Sequence, residues 1–221
     1  MTVVRATVAE LLARADAWLE ETRADGELRA GWSLPTDAAI VLGSAQRLAV
    51  PGTALRRSTG GGAVSCDDRY LMLDIVLPRG HTLVIDDVGR SYGWLARALL
   101  AALQAFGAEL RAVLPREAAA LPVEDRAAAR LACFAGTGTY ELLTRSDGRK
   151  LLGLAQRRRG GAALLQAAAY VDVPRLDVAA ALGLPRDQEE RLRRRLQRIV
   201  TLDEVAPGFA RSPPPALELL P

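Results

Sequence analysis

The stretch "TYELLTRSDGRKLLGLAQRRRGGAALLQAAAYVDV", residues 139–173, decides the fold. Three apolar runs are separated by Asp147-Gly148 and by Gly160-Gly161. Both dipeptides accept the positive φ angles that a tight hairpin needs. The stretch therefore predicts strand, turn, strand, turn, strand: an antiparallel meander.

Outward from it, residues 7–22 place Leu11, Leu12, Ala15, Trp18 and Leu19 at helical spacing. "DAAIVLG" (37–43) has a buried-strand pattern, and "AVPGTALRRSTGGGAVS" (49–65) runs from a turn through a strand into a glycine loop. "RYLMLDIVLP" (69–78) is a strand closed by proline. "DDVGRSYGWLARALLAALQAFG" (86–107) is the longest expected helix, with Asp86 or Asp87 as its N-cap and Gly107 at its end. "AELRAVLP" (108–115) reads as a strand and "RLACFAGTG" (130–138) as a strand entering a loop. "DVAAALG" and "DQEERLRRRLQRIVTL" are helical, and "SPPPALELLP" (212–221) is a proline-rich tail expected to be loosely held. No internal repeat is visible. The order predicts an α+β fold: a mixed, largely antiparallel β-sheet flanked by α-helices. Residues 1–185 form the main domain, with residues 186–221 a C-terminal helix and tail packed on it or trailing from it.

The chain has 221 residues, half of them hydrophobic, enough for one sizeable core. No window of 18 apolar residues is free of charge, so no membrane span is expected. The N-terminus carries acids early and reads as an amphipathic helix, not a signal peptide. Two cysteines make no disulfide framework. They and the single His81 argue against a metal site or a serine triad. A cytoplasmic enzyme or binding domain is expected. The net charge of +3 does not demand a nucleic-acid partner. The basic runs "RLRRRLQR" (191–198) and "QRRRGG" (156–161) read as solvated surface, or as a face for an acidic protein. They lack the interleaved aromatics of a single-strand binder.

Two features point to chemistry. Of 29 basic residues only Lys150 is lysine, and the chain has no asparagine. A compact ammonium at one position in an arginine-biased chain is either chance or a place where a planar guanidinium will not serve. The second feature is "RRSTGGGAV" (56–64). Three adjacent glycines allow backbone N–H groups to face a ligand. Arg56 and Arg57 supply donors for a carboxylate or phosphate, and Ala63 and Val64 continue into an apolar wall. The alternative is a structural turn. The spacings of a P-loop and of a dinucleotide fingerprint are absent.

"RRSTGGGAV" closely resembles the signature loop of lipoate–protein ligases. "GRKLLGLAQRR" (148–158), "LQAAAYVDV" (165–173) and "DAAIVLGSAQ" (37–46) resemble three further segments of the biotin/lipoate ligase superfamily, in family order. The resemblance covers roughly residues 5–185. It implies a mixed sheet flanked by helices and a lipoyl or octanoyl group as substrate. In that reading Arg56, Arg57, Ser58, Thr59, Gly60, Gly61, Gly62, Ala63, Gly153 and Ala155 bind the acyl group or its adenylate. Lys150 contacts the acyl carbonyl, where a cation stabilises a developing oxyanion. The implied acceptors are lipoyl domains or glycine-cleavage H proteins, with acyl carrier protein as a possible donor.

Cys133, in "ACFAGTGTYEL", lies where a class of octanoyltransferases keeps its nucleophilic cysteine. A nearby ammonium favours thiolate, and Lys150 across the Asp147-Gly148 hairpin is the candidate. The bland alternative is a small buried hydrophobe. Two departures weaken the adenylate route, which would need ATP and Mg. The Asn-Asp pair usual in ligases reads Tyr140-Glu141, and only about forty residues follow "YVDVP", too few for the large ligases' extra lobe. The His-Asp usual after the glycine loop reads Cys66-Asp67. Transfer through a Cys133 thioester, ATP-dependent ligation and a non-catalytic acyl-binding subunit of a split ligase remain as alternatives.

Overall fold

The chain opens on β1 (Val4–Ala6) and α1 (Val8–Asp25) in a computed structural model that describes residues 3–48, 50 and 52–220. Ala49 and Pro51, in the turn expected before the glycine loop, lie outside the described residues. So do the outer ends of the two expected units, at residues 1, 2 and 221. Thr7 starts α1 with a capping box: its hydroxyl accepts from the Glu10 N–H, and the Glu10 carboxylate accepts from the Thr7 N–H at 2.8 Å. Gly26, at φ 76°, ends it. Leu11, Ala15 and Leu19, four residues apart, form its buried stripe, while Leu12 and Trp18 stay half-buried beside it.

Then follow β2 (Arg29–Pro35), β3 (Ala39–Leu42), β4 (Ala54–Arg56), β5 (Val64–Cys66), β6 (Tyr70–Leu77), α2 (Gly93–Gln104), β7 (Leu110–Ala112), α3 (Pro115–Ala119) and α4 (Val123–Leu131). The meander supplies β8 (Leu142–Thr144), β9 (Lys150–Arg159) and β10 (Ala162–Tyr170). Helices α5 (Val178–Ala181), α6 (Arg186–Leu196) and α7 (Leu202–Val205) follow, and 3-10 turns at Phe209–Arg211 and Ala216–Leu219 come after them. Gly148, Gly160 and Gly161 take the positive φ that the two turns require.

Seven strands form one sheet in the order β1-β2-β6-β10-β9-β8-β7, antiparallel except for β1 on β2. Three more form a small sheet, β4-β3-β5, with β3 parallel to β4 and antiparallel to β5. The architecture is the mixed α+β fold expected from the sequence. Every residue of β6 is buried because both faces of the large sheet are covered. On one face Leu71, Leu73, Ile75 and Leu77 join Trp32, Leu95, Leu99 and Phe209 in the main core. On the other, Tyr70 and Met72 pack with Val8 and Leu11 of α1, Val41 of β3, and Val64 and Cys66 of β5.

Four local expectations are corrected. Residues 130–138 are not a strand. α4 runs to Leu131 and is followed by a 3-10 turn at Cys133–Ala135. Helix wins because Pro122 precedes it, Glu124 and Asp125 lie in its first turn, and alanines fill its interior. The helix expected over 86–107 as the longest spans only Gly93–Gln104, shorter than α1, and starts at neither Asp86 nor Asp87. Asp87 instead accepts from the Arg90 N–H at 3.0 Å and starts a 3-10 turn leading into α2. The strand β2 was not anticipated. The tail is held rather than loose. Ala216 and Leu219 are buried in the main core beside Phe209, and the Trp32 indole N–H donates to the Pro214 carbonyl at 2.8 Å.

Candidate active site

The glycine loop and the Cys133 turn are fastened together by backbone. The Ala63 N–H donates to Leu131 O at 2.9 Å, and the Cys133 N–H donates to Ala63 O at 2.9 Å. Gln46 ties a third segment to them. Its Oε1 accepts from the Gly43 N–H at 2.9 Å, and its Nε2 donates to Arg130 O at 3.0 Å and Leu131 O at 3.1 Å. Cys133 is thereby set at the end of α4, half-buried. It faces Gly153 of β9, where a Cβ would come within 3.2 Å of its sulfur.

Gly43 and Gly62 answer to backbone contacts and Gly61 to a side chain. A Cβ on Gly43 would fall 1.9 Å from Gly61 O. One on Gly62 would fall 2.5 Å from Ala129 O and 2.7 Å from the Ala132 carbonyl carbon. Gly61 has φ 95°, and a Cβ there would lie 2.8 Å from Arg57 Nη2. Within the run of three, Gly60 alone has open space around it. What approaches the glycine run in this structure is therefore the chain itself.

The two arginines bind the same loops. Arg57 is buried. It donates to Gly60 O through Nε (3.1 Å) and Nη2 (2.8 Å), and to Gly62 O through Nη2 at 2.7 Å. Arg56 donates to Gly43 O at 2.8 Å and Gln46 O at 2.5 Å. Thr59 is buried and donates its hydroxyl to Gln166 Oε1 at 2.5 Å, while Gln166 Nε2 donates to Asp74 Oδ1 at 2.8 Å. Arg14 reaches the other Asp74 oxygen at 3.4 Å. Burial raises the Asp74 pKa, opposed by the Gln166 hydrogen bond and the Arg14 charge. Ser58 is half-buried in the same loop.

Beneath the Cys133 turn, Lys150 at the start of β9 is 5 % exposed. Its ammonium meets the Glu141 carboxylate at 2.6 Å and donates to Cys133 O at 2.6 Å and Gly136 O at 3.0 Å. It also lies 5.1 Å from the centre of the Phe134 ring. Its three N–H groups thus have three acceptors, the full capacity of an ammonium. The Glu141 carboxylate, also buried, accepts in addition from the Gly138 N–H at 2.5 Å and the Leu154 N–H at 3.4 Å. Glu141 was noted in the sequence only as a departure from a ligase pattern. Here it is the counter-ion of the single lysine and pins the loop that follows Cys133. Gln46 and Gln166 were likewise not singled out by role. The contacts that give them these roles, Glu141 to Lys150, Gln46 to Arg130 and Leu131, and Gln166 to Thr59 and Asp74, join separate segments and leave no local sequence signal.

A partly open apolar cavity lies between the two sheets. Cys133, Gly153, Ala155 and Arg57 line it, with Leu12, Val41, Val64, Cys66, Tyr70, Met72, Gln166 and Ala168 among its other walls. The structure brings Cys133, Arg57, Gly153 and Ala155 together. Arg56, Ser58, Thr59, Gly60, Gly61, Gly62, Ala63 and Lys150 do not line this cavity. Lys150 faces a second, polar pocket with Thr137, Arg195 and Arg198 on the other side of the Cys133–Ala135 turn. Cys66 sits in the apolar wall, and burial pushes its thiol pKa up. Asp67 is buried and accepts from Ser65 Oγ, the Arg69 N–H and the Arg175 N–H at 2.8–2.9 Å. Among the described residues no three His, Cys, Asp or Glu side chains gather as metal ligands, and no helix is long and apolar enough to cross a membrane.

The family model described as lipoyl protein ligase A/B catalytic domain matches residues 9–209. Octanoyltransferase LipM of Moorella thermoacetica is 35% identical over 175 residues, 75% of this chain and 59% of that protein. Octanoyltransferase LipM of Kyrpidia tusciae is 30% identical over 144 residues, 65% of this chain and 50% of that protein. The chain thus spans between half and three-fifths of the length of these curated relatives. Among solved structures, the bi-partite lipoate protein ligase of an archaeal lipoylation system from Thermoplasma acidophilum superposes with a TM-score of 0.67 at 20% identity, covering 96% of this chain and 80% of that one. Lipoate-protein ligase A bound with ATP superposes with a TM-score of 0.57 at 19% identity, covering 95% and 91%. At these identities the structural likeness speaks for the fold alone.

Proposed function

For a chain that belongs to the lipoyl protein ligase A/B catalytic-domain family, we propose the transfer of an octanoyl or lipoyl group, by way of a thioester on Cys133, to a lysine of a lipoyl-domain or H-protein acceptor. The observation that carries this reading is the half-buried Cys133 on the wall of an apolar cavity, with the Lys150 ammonium 2.6 Å from the carbonyl of that same residue. The apolar lining suits an alkyl chain, and the ammonium fixes the backbone of the turn that carries the thiol.

In the first step the Cys133 sulfur attacks the carbonyl carbon of an acyl thioester, such as that of an acyl carrier protein. The new S–C bond forms, the donor's S–C bond breaks, and the donor sulfur leaves with the proton Cys133 gave up. In the second step the acceptor lysine amine attacks the Cys133 thioester. The C–N bond forms, the S–C bond breaks, and the amine's proton returns to Cys133. Gly153 and Ala155 form the floor on which the acyl group lies. Arg57 is the one residue of the 56–63 loop on the cavity wall, and its bonds to Gly60 O and Gly62 O hold that loop beside it. Lys150 acts from its present bonds. Direct contact with the acyl oxygen would require it to release one of its three acceptors.

The test is denatured mass spectrometry of the protein after incubation with an octanoyl thioester, followed by addition of an apo-lipoyl domain. An adduct on Cys133 that passes to the acceptor is expected, and Cys133→Ser should lose both. Iodoacetamide should label Cys133 faster than the buried Cys66, with octanoate protecting. Lipoylation that needs ATP and survives Cys133→Ser would replace this reading with the adenylate route. Neither activity would leave an acyl-binding subunit.

A further inference from the structure

The lining of the cavity beside Cys133 includes residues of three neighbouring strands of the large sheet, and the strand registers measure the span from one to the next. Gly153 of β9 lies under the Cys133 sulfur. Gly153 pairs with Ala168 of β10, and Ala168 pairs with Met72 of β6. All three line the cavity. From Gly153 to Met72 is two strand spacings, about 9–10 Å. A saturated chain of carbon–carbon bonds about 1.5 Å long at about 111° advances about 1.25 Å per bond, so an eight-carbon acyl group spans about 9 Å.

The far end of this path is closed. The Met72 sulfur lies 3.9 Å from the Cys66 sulfur. Val41, Val64 and Tyr70 complete an apolar wall whose members are all buried. Beyond Met72, its partner on β2 is Ser33, fully buried with its hydroxyl unpartnered. A longer chain would have to displace Met72 and meet that hydroxyl. The other direction, along the strands, leads to Ala155 and the half-buried Gln166 and Leu12. Gln166, bonded to Thr59 and Asp74, makes that side the polar one, unsuited to an alkyl terminus.

We propose that Met72, backed by Cys66, is the stop of an acyl-length ruler that starts at the Cys133 sulfur and crosses Gly153 and Ala168. The inference rests on the Cys133 thioester reading. The ruler selects against chains longer than about eight carbons, and residues at its middle and end set the cut-off. Methionine suits the stop because its unbranched thioether fills the end of a narrow slot.

The experiment presents the 221-residue protein with an equimolar mixture of hexanoyl, octanoyl, decanoyl and dodecanoyl N-acetylcysteamine thioesters. Adducts on Cys133 are read by denatured mass spectrometry. The ratio of chain lengths within one sample is independent of how much protein is folded. The parent should favour octanoyl over dodecanoyl by tenfold or more. Met72→Ala should move the maximum to ten or twelve carbons. Ala168→Val, which narrows the path one strand short of the stop, should move it to six. If Met72→Ala does not fold, Ala168→Val alone decides. A parent that forms no adduct with any thioester refutes the thioester reading itself. A parent that forms adducts, with folded variants keeping its length profile, refutes the ruler and leaves the thioester standing.

Discussion

At the scale of single residues, the site rests on a buried ion pair. Breaking such a pair from one side leaves an uncompensated charge and costs about 3–5 kcal/mol. Glu141→Ala should therefore destabilise the protein by that amount, measured by urea unfolding. Glu141→Ala combined with Lys150→Met should cost clearly less than the two single changes summed. A Glu141→Ala variant as stable as the parent would mean that the ammonium finds its charge balance elsewhere. Lys150 was legible in the sequence because composition isolates it. Cys133 was legible only through resemblance. Glu141 was visible as a residue but not as a partner. Its bond to Lys150 closes across the Asp147-Gly148 hairpin, and no spacing rule encodes which side chains a hairpin brings face to face below the sheet. Burial of the Cys66 thiol, which pushes its pKa up, is equally a tertiary fact. The sequence shows two cysteines of equal standing, and only packing separates the inert one from the half-exposed one.

At the scale of elements, the glycine run separates function from packing. Three adjacent residues of one type meet three different surroundings, so three alanine substitutions should give three different costs. Gly60→Ala, with nothing near its Cβ, should change stability by no more than about 0.5 kcal/mol. Gly61→Ala forces an alanine into positive φ against Arg57 and should cost about 1–2 kcal/mol. Gly62→Ala drives a methyl into the backbone of Ala129 and Ala132 and should cost about 1–3 kcal/mol or more by overpacking. Thermal melts of the three variants give the ranking directly, and three equal losses would contradict these contacts. The hairpins of the meander were readable because turn residues carry their own conformational demand. β2 was not. Gly31 interrupts its apolar pattern, and the reason lies outside the strand: a Cβ there would approach the Trp18 ring of α1 to 3.0 Å. A glycine that marks such a close approach reads as a strand breaker until the neighbour is known.

At the scale of the whole molecule, the fold class followed from the order of elements, while the strand order and the place of the tail did not. Proline-rich, polar-flanked ends are usually loose, and "SPPPALELLP" has that composition. What holds it is a set of partners far away in sequence: the Trp32 indole for Pro214 O, and the main core for Ala216 and Leu219. The tail lies on the face of the sheet opposite Cys133, because Trp32 and Phe209 share the core with Leu71 and Leu73 while Met72 faces the cavity. Deleting residues 213–221 should therefore injure stability and spare the site. Burying a leucine contributes about 1.5–3 kcal/mol and the indole hydrogen bond about 1 kcal/mol, a combined loss of at least about 2 kcal/mol. For a chain of this length that lowers the Tm by about 4–8 °C. Iodoacetamide labelling of Cys133, taken well below the melting transition, should keep the parent's rate. An unchanged Tm would show that residues 186–221 end in a separable appendage. A faster Cys133 rate in a folded variant would show that the tail's core supports the site through the sheet.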